Sequence, residues 1–435
     1  MLNVLIGKEI IMKKIYEFET DCVHGTYKAE SGEPQQLPII QNTTYRYYNA
    51  KDVADLFDLE SAGYFYSRLG NPTVNALEEK MALLEGGTAG LAASSGQSAT
   101  LMTMLNICKA GDHIISSTSI YGGTFNLLGV TLKKMGIEVT FIDQDIKLDE
   151  ILSFKRPNTK VLFAETLSNP ALNVLDFEKF SNAAKKMGVP LIIDNTLATP
   201  ALCRPIEYGA DIVVQSTTKY ADGHGSSLGG MVVEAGTFDW SFEGKFPEMT
   251  EPDSSYHGLK FYEKFGSIAF TLKLRAQMLR DMGCTMAPMN AYLTHQGLQT
   301  LHLRMERHSA NALALANFLQ GNENVEWVIY PGLENDKSYE LARKYLPKGA
   351  SGVLTFGVKG GKKAGEKFLE KLELASIVVH VGDIRTSVLH PASTTHRQLS
   401  EAEQLKAGIK PELIRVSVGV ESIKDIIADF ENALK

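Results

Sequence analysis

Short apolar runs alternate with helical patterns over the middle of the chain, from about residue 72 to residue 235. The helical patterns include VNALEEKMALLEGG and FEKFSNAAKKMG. The apolar runs between such segments have the length of strands, and they are HIISS, VTFID, KVLFAE, VPLIIDN and DIVVQS. Apolar strands separated by amphipathic helices are typical of βαβ units. The pattern therefore predicts an α/β fold in which a mostly parallel sheet carries helices on both faces.

The pattern changes on either side of this region. Residues 1–65 are rich in turn formers and aromatic residues and have no sustained period, which predicts an N-terminal arm. An aromatic, proline-containing stretch interrupts the alternation from about 236 to 290. A helical pattern then begins, followed by strand-like runs and a final amphipathic helix, KDIIADFENALK. We expect a large domain over 66–295 and a smaller α/β C-terminal domain over 296–435.

Composition and charge exclude several classes of protein. Hydrophobic residues make up 44% of the chain and charged residues 22%, as in a globular protein with a large core. The net charge of −7 gives no electrostatic reason to expect nucleic acid or an anionic membrane as partner. The N-terminal run MLNVLIGKEIIMKK lacks the basic start and cleavage site of a signal peptide. We expect a cytoplasmic protein, with either a short leader or a true start at Met12.

Cysteine and histidine spacing excludes further chemistry. The cysteines Cys22, Cys108, Cys203 and Cys284 form no CxxC pair, so we expect reduced thiols and neither a zinc knuckle nor a redox dithiol. The histidines are scattered and no HExxH occurs, so no metal site is predicted. No GxGxxG follows a strand, which argues against a dinucleotide-binding oxidoreductase.

The strongest chemical signal is DIVVQSTTKYADGHGSSLGG, in which an apolar strand runs into Ser216, Thr217, Thr218 and Lys219. Ligands of open α/β sheets bind outside the carboxyl ends of the strands. A lysine placed there among hydroxyl groups can form a Schiff base with an aldehyde cofactor whose phosphate the hydroxyls bind. The alternative is a surface lysine that merely follows a strand.

A carboxylate ends a second apolar strand. Asp194 closes the run VPLIID, where burial of an unpaired charge is costly. The carboxylate becomes useful if it pairs with the protonated ring nitrogen of pyridoxal 5'-phosphate (PLP), because the ring then acts as an electron sink. The alternative is an aspartate that caps a turn, which Asn195 and Thr196 would allow.

Two more groups follow predicted strands. Gly96 and Gln97 begin a long helical pattern, and backbone N–H groups at a helix start can bind phosphate. Tyr121 follows HIISS, where its ring could stack on a cofactor and its hydroxyl could relay a proton. The alternative for Gly96 and Gln97 is an ordinary helix cap, and the alternative for Tyr121 is a core tyrosine. Together with Lys219 and Asp194, these groups have complementary roles that point to PLP.

Motifs along the chain from about Gly25 onward carry a resemblance that covers nearly all of it. In order, they are YFYSRLGNPTVNALE, SSGQSA, YGGT, ETLSNP, DNTLATP, QSTTKYADGHG, GDIRTSVLHPASTTHRQL and IRVSVGVE. They are similar to those of the Cys/Met-metabolism PLP-dependent enzymes. This fold-type I family includes cystathionine γ-synthase, the cystathionine lyases, methionine γ-lyase and O-acetylhomoserine sulfhydrylase.

The resemblance implies PLP as cofactor, bound by the large domain, and a role for each matching residue. Lys219 resembles the Schiff-base lysine and proton carrier, Asp194 the partner of the pyridine nitrogen, and Asn169 the neighbour of the phenolic oxygen. Tyr121 matches a cofactor-contacting and catalytic tyrosine. The remaining matches to cofactor-binding and phosphate-binding positions are Gly96, Gln97, Thr196, Ser216 and Thr218.

The resemblance also implies partners. Tyr66 and Arg68 match a pair that reaches the phosphate of the neighbouring subunit, so we expect a homo-oligomer, most simply a dimer of dimers. Arg415 resembles the arginine that holds the substrate carboxylate; an unpaired arginine inside an apolar strand would otherwise be costly. His380 stands where a smaller polar residue such as Asn is expected. It either bonds the substrate carboxylate or is satisfied by a backbone carbonyl.

Three features favour the sulfhydrylase branch of the family. They are the aromatic insertion FPEMTEPDSSYHGLKFYEKFG, the run HPASTTHRQL, and Gly123 where methionine γ-lyases often have a reactive cysteine. The expected reaction is γ-replacement on O-acetyl-L-homoserine by sulfide or methanethiol, giving homocysteine or methionine plus acetate. The alternatives are a methionine or cystathionine γ-lyase, which would release 2-oxobutyrate, ammonia and a thiol, and an inactive PLP-fold scaffold.

Overall fold

The computed structural model of the chain describes residues 16–395, 397, 400 and 408–435. The expected start at Met12 lies outside these residues. So does part of the HPASTTHRQL run, namely His396, Gln398 and Leu399. Among the described residues, no helix is both long enough and apolar enough to cross a membrane.

Seven strands of the described chain form the larger sheet. They are β1 (Ala89–Ala93), β2 (His113–Ser117), β3 (Glu138–Ile142), β4 (Thr159–Glu165), β5 (Leu191–Asp194), β6 (Ile212–Gln215) and β7 (Gly230–Glu234). Their order across the sheet is β1-β7-β6-β5-β4-β2-β3. Strands β6, β5, β4, β2 and β3 are parallel, whereas β7 is antiparallel to both β6 and β1. The predicted α/β fold with a mostly parallel sheet is confirmed.

The two faces of this sheet have separate cores. Ile193 and Val213 pack into the core on one face, while their strand neighbours Ile192 and Val214 pack into the core on the other. Successive side chains of a strand point to opposite faces, so a sheet covered on both sides needs apolar residues at every position. This explains the consecutive apolar residues of β4 (VLFA), β5 (LII) and β6 (IVV). Strand β2 (HIISS) also buries polar side chains. β1 and β7 were not predicted, and the small residues of AGLAA give β1 only a weak strand signal.

The helices cover both faces of the sheet and continue through the rest of the described chain. They are Phe18–His24, Ala50–Phe57, Pro72–Glu85, Gly96–Ile107, Gly122–Asn126, Leu148–Ser153, Phe177–Met187, Thr199–Leu202, Pro247–Thr250, Phe261–Phe265, Ala269–Lys273, Arg280–Met282, Pro288–Gln299, Leu301–Gln320, Tyr339–Tyr345, Gly361–Lys371 and Ile423–Leu434. Two π-helical turns, Leu127–Leu132 and Leu274–Leu279, lengthen neighbouring helices, and 3-10 turns occur at Pro205–Tyr208, Phe242–Gly244, Ser254–Tyr256, Gly266–Ile268 and Pro391–Ser393.

A smaller sheet forms in the C-terminal part. Its described strands are β8 (Val325–Ile329), β9 (Val353–Val358), β10 (Ser376–Ile377), β11 (Ser387–Leu389) and β12 (Leu413–Ser417). Their order is β10-β11-β12-β9-β8, and the pairs are antiparallel except β10 with β11. A third core, which includes Phe356, Ile414 and Phe430, lies between this sheet and its helices. The division at residues 65 and 295 stays a prediction.

The expected arm and the aromatic insertion contain local structure. The helices Phe18–His24 and Ala50–Phe57 lie within the first 65 residues, where no helix was predicted. The insertion, residues 246–266, folds into short helical turns and contributes Phe246, Phe261 and Phe265 to one core of the large sheet. Its aromatic residues are therefore explained by packing on the sheet.

Candidate active site

The carboxyl ends of adjacent strands bring polar side chains to one edge of the large sheet. Glu165 ends β4 and lies directly beside Asp194, which ends β5. Ser216 follows β6, the next strand across the sheet. Parallel strands end at the same edge, which is where open α/β sheets bind ligands. Asp194 and Ser216, two of the residues selected from the sequence, therefore lie at the same edge of the sheet.

Thr196 holds Asp194 and connects it to the next strand. Its amide donates to Asp194 Oδ1 at 2.9 Å and its hydroxyl donates to the same oxygen at 2.5 Å. The Thr196 hydroxyl oxygen in turn accepts the amide of Ser216 at 2.9 Å. No hydrogen bond from the described part of the chain reaches Asp194 Oδ2. Burial raises the pKa of Asp194, and the two hydrogen bonds from Thr196 oppose that rise. One carboxylate oxygen is thus fixed and the other is available.

Gly96 closely approaches the backbone of Ser216. A Cβ atom added at Gly96 would lie 2.6 Å from Ser216 Cβ and 2.9 Å from Ser216 Cα. Gly96 also begins the helix Gly96–Ile107, whose N-cap is Ser95. Free N–H groups at a helix start attract anions, and the glycine lets a second backbone segment come close to them. The start of this helix thus lies directly against Ser216, whose side-chain hydroxyl forms no hydrogen bond within the described chain.

The other predicted phosphate contacts are partly engaged by the protein itself. The Gln97 side-chain oxygen accepts a hydrogen bond from Thr124 at 3.2 Å. The Thr218 hydroxyl accepts the amide of Gly229 at 3.0 Å and donates to the carbonyl oxygen of Gly229 at 3.1 Å. A hydroxyl has one proton to donate, so Thr218 can donate to an anion only by giving up this carbonyl. The phosphate roles of Gln97 and Thr218 stay predictions.

Tyr121 stands at the end of the turn that follows β2. Its side chain is half exposed. Its amide donates to Glu165 Oε1 at 2.7 Å, and its ring packs against Gly123, where an added Cβ would lie 2.9 Å from the ring carbon Cζ. Sequence reasoning did not select Glu165, although it ends an apolar run in the same way as Asp194. Because Tyr121 is half exposed, it is not a core tyrosine, which was the alternative interpretation of this residue.

Lys219 faces His380. The Lys219 Nζ atom lies 3.4 Å from His380 Nδ1. Burial lowers the pKa of Lys219, and the nearby Arg415 guanidinium lowers it further. Burial and the charge of Lys219 also lower the pKa of His380, which favours the neutral ring; in the tautomer with its proton on Nε2, Nδ1 can accept from the lysine. His380 Nε2 is buried without a partner in the described chain, so the alternative of a histidine satisfied by a backbone carbonyl is not observed.

Arg415 lies in β12 of the smaller sheet and reaches the same site. One of its terminal nitrogens donates to the carbonyl oxygen of His380 at 3.2 Å. Among the described residues, no carboxylate forms an ion pair with it. Burial lowers the pKa of Arg415 to about 10, which leaves it cationic at neutral pH. A buried guanidinium without an acidic partner is suited to hold a carboxylate from outside the chain.

Asn169 lies in the loop after β4, and its peptide bond to Pro170 is cis. Within the described chain its side chain forms no hydrogen bond, so its amide group is free to contact a ligand. Its role beside the phenolic oxygen stays a prediction.

Tyr66 and Arg68 are neighbours on the surface of the chain. Both are exposed, and the guanidinium carbon of Arg68 lies 5.4 Å from the centre of the Tyr66 ring. Arg68 also donates to the carbonyl oxygen of Arg280. The two residues line a cavity of about 700 Å³ whose other lining residues fall within 44–70, 255–257 and 265–280. Neither Lys219 nor Asp194 lines this cavity, and the role of the pair at the neighbouring subunit's phosphate stays a prediction.

Comparison with known proteins identifies the family. Residues 19–435 match the model of the Cys/Met metabolism PLP-dependent enzymes. The chain belongs to this family. PLP is therefore its cofactor, and the family resemblance stated from the motifs is confirmed.

Relatives in this PLP-dependent family are similar over nearly their whole length. An O-acetyl-L-homoserine sulfhydrylase of Leptospira meyeri is 47% identical over 434 residues, covering 98% of each chain. A homocysteine synthase of Schizosaccharomyces pombe is 45% identical and covers 96% of this chain and 98% of its own. A crystal structure of a Campylobacter jejuni protein described as an O-acetylhomoserine (thiol)-lyase superposes with a TM-score of 0.93 at 39% identity, covering 96% of this chain and all of that one. That protein carries a pyridoxyl-lysine phosphate group.

The residues at the sheet edge fit PLP, the cofactor of the family. The free oxygen of Asp194 suits a protonated ring nitrogen, and Lys219 offers an amine with a lowered pKa. The close approach of Gly96 to Ser216 forms a cradle that a Cβ would fill, as a phosphate site requires. Hydrogen-bond donors, a carboxylate and an amine, the groups that the phosphate, the ring nitrogen and the aldehyde of PLP require, are thus present among these residues.

Proposed function

We propose that the protein catalyses γ-replacement on O-acetyl-L-homoserine, with sulfide or methanethiol as nucleophile and acetate as leaving group. The observation that carries the proposal is the full-length similarity, at 45–47% identity, to relatives named O-acetyl-L-homoserine sulfhydrylase and homocysteine synthase. The unpaired guanidinium of Arg415 beside Lys219 supports an amino acid as substrate. The product is homocysteine with sulfide, and methionine with methanethiol.

Arg415 and His380 orient the substrate in this proposal. The guanidinium of Arg415 binds the α-carboxylate, and its hydrogen bond to the His380 carbonyl fixes the direction in which it points. The unpartnered Nε2–H of His380 donates a second hydrogen bond to the same carboxylate. Both groups are partly buried, so their bonds to a carboxylate are stronger than they would be in water. The substrate's α-carbon is thereby held next to Lys219.

Lys219 moves the protons. Burial and Arg415 lower the pKa of its Nζ, which increases the fraction of neutral amine available to take the proton from the α-carbon. Bound PLP supplies an electron sink for the charge left behind, with its ring nitrogen held by Asp194. The β-carbon then loses a proton, which reaches the departing γ-acetoxy oxygen through the hydroxyl of Tyr121 or the amino group of Lys219, so that acetic acid leaves. The thiol adds its sulfur at the γ-carbon and its proton at the β-carbon, and Lys219 returns the first proton to the α-carbon.

We further propose that the active unit is a homo-oligomer, most simply a dimer of dimers, in the cytoplasm. Support for the oligomer comes from Tyr66 and Arg68, which are exposed in a cavity that does not contain Lys219. In the proposal they bind the phosphate at the neighbouring subunit's site, where a planar guanidinium suits phosphate oxygens. The four cysteines carry free thiols, which supports a reducing compartment.

The test is an assay of the PLP-loaded protein with O-acetylhomoserine, with and without sulfide, measuring homocysteine and 2-oxobutyrate separately. Homocysteine formed only with sulfide is the expected result. Rapid formation of 2-oxobutyrate whether or not sulfide is added would replace the proposal by a γ-lyase. A Lys219→Ala variant that kept full turnover would contradict the proton-transfer scheme, and absence of any product in the loaded protein would favour the scaffold.

A further inference from the structure

Glu165 lies between two groups of the site. It ends β4, and the strand order places β4 between β2 and β5. It is therefore flanked by Tyr121, which follows β2, and by Asp194, which ends β5 in register with it. Its side chain is only 5% exposed, and its Oε1 atom accepts the Tyr121 amide at 2.7 Å. One buried carboxyl thus contacts the Tyr121 backbone and neighbours the Asp194 carboxyl.

Two neighbouring buried carboxyls cannot both be charged without a large cost, so one of them keeps a proton. Asp194 accepts two hydrogen bonds from Thr196, which favour its charged form. Glu165 accepts one backbone amide. Burial raises the pKa of Glu165 well above its ordinary value, and the adjacent Asp194 raises it further. No cation among the described groups around Glu165 would make Glu165 the more acidic of the two carboxyls.

Glu165 holds the backbone of Tyr121 at the end of a turn that also has hydrogen bonds of its own, from the Ser119 amide to Ser117 Oγ and from the Asn173 side chain to Ser119 Oγ. Tyr121 is the N-cap of the short helix Gly122–Asn126, and it provides no side-chain cap for that helix. Its half-exposed side chain forms no hydrogen bond in the described chain. The hydrogen bond from the Tyr121 amide to Glu165 therefore holds the backbone from which the ring projects. The ring itself packs against Gly123.

We propose that Glu165 is a positioning residue that anchors the Tyr121 amide as a neutral carboxylic acid, leaving Asp194 as the single negative charge beside the cofactor ring. The inference rests on the roles proposed above for Tyr121 and Asp194. It assigns to the first residue of ETLSNP a function in cofactor placement that involves no direct contact with the substrate.

Three variants separate the parts of the proposal. Glu165→Gln keeps an oxygen acceptor and is neutral, Glu165→Ala removes the acceptor and leaves a cavity, and Glu165→Leu fills the space without an acceptor. A matched control is Glu234→Ala, because Glu234 is also buried and also accepts backbone amides, those of Phe270 and Thr271. It pairs with Ile212 at the opposite end of β6, away from the strand-end site.

The readouts are the dissociation constant of PLP from the apoprotein, the visible circular dichroism of the bound cofactor, and the pH dependence of its absorption band. We expect Glu165→Gln to match the wild type in all three. Glu165→Ala and Glu165→Leu should both bind PLP about tenfold to a hundredfold more weakly, because the Tyr121 amide loses its buried acceptor. Their circular dichroism should change, and Glu234→Ala should keep the wild-type values.

Other outcomes overturn the inference. Wild-type PLP affinity and dichroism in Glu165→Ala would mean that Glu165 does not position Tyr121. Recovery in Glu165→Leu would assign the effect to packing instead of the hydrogen bond. A shifted pH dependence in Glu165→Gln would mean that Glu165 is ionised. None of these readouts uses a sulfur substrate, so they stand apart from any failure of the proposed γ-replacement.

Discussion

Replacing Gly96 with alanine tests the proposed phosphate cradle most directly. The new Cβ would lie 2.6 Å from Ser216 Cβ and 2.9 Å from Ser216 Cα. Carbon atoms in contact normally stand about 3.5–4.0 Å apart, so the two segments must separate by roughly 1 Å. A rotamer change cannot absorb this, because Cα and Cβ of Ser216 move only with the backbone. Overpacking of this kind costs about 1–3 kcal/mol.

If phosphate is bound by donors from both segments, the separation weakens binding by a comparable free energy. The expected loss of PLP affinity in Gly96→Ala is then about fivefold to 150-fold. Equilibrium dialysis of the apoprotein against PLP measures it. The matched control is Gly122→Ala, since Gly122 also begins a helix but a Cβ there meets nothing within 4 Å. Wild-type affinity in Gly96→Ala, with a normal affinity in the control, would refute a phosphate site between Gly96 and Ser216.

Three further variants test the site and its support. Asp194→Asn keeps an acceptor for Thr196 but removes the charge, so turnover should fall about a hundredfold or more in a steady-state assay, with little change in thermal stability. Arg415→Lys should raise the KM for O-acetylhomoserine about tenfold or more by loss of the planar fork, while the KM for sulfide stays constant. Glu85 is buried, accepts from Asn195, and has its pKa raised by burial from 4.5 to about 8. Its contribution to the free energy of unfolding is therefore complete below pH 4.5 and is lost as pH rises towards about 8, at about 1.4 kcal/mol per pH unit. Urea unfolding of Glu85→Gln at several pH values should lack this slope, and an unchanged slope would mean that Glu85 is already ionised.

The predicted strands follow from burial on two faces, a local property of the chain. The runs that became β4, β5 and β6 each contain three or four consecutive apolar residues, because a parallel sheet covered on both faces buries successive side chains. The residues that follow them, such as Asp194 and Lys219, could be selected because strand ends are where ligands bind. The sequence pattern did not predict the helices Ala50–Phe57 and Phe18–His24, because each is short.

Residue identity along the chain determined the fold class, the family and the chemical character of the site. A lysine among hydroxyls, an aspartate at a strand end and a motif order shared with PLP enzymes are all readable without coordinates. Only the tertiary structure decided which groups are neighbours. Glu165 lies 44 residues from Tyr121, and His380 lies 161 residues from Lys219, yet each pair is in contact.

The physical reason is that strand order and domain packing depend on all contacts at once, whereas periodicity reports one segment at a time. The order β5-β4-β2 places Glu165 between Asp194 and Tyr121, and no local pattern encodes that order. Arg415 lies in the smaller sheet, so its proximity to Lys219 depends on how the two sheets pack against each other. The sequence determined which chemistry is present, and the packing of the sheets decided which side chains perform it together.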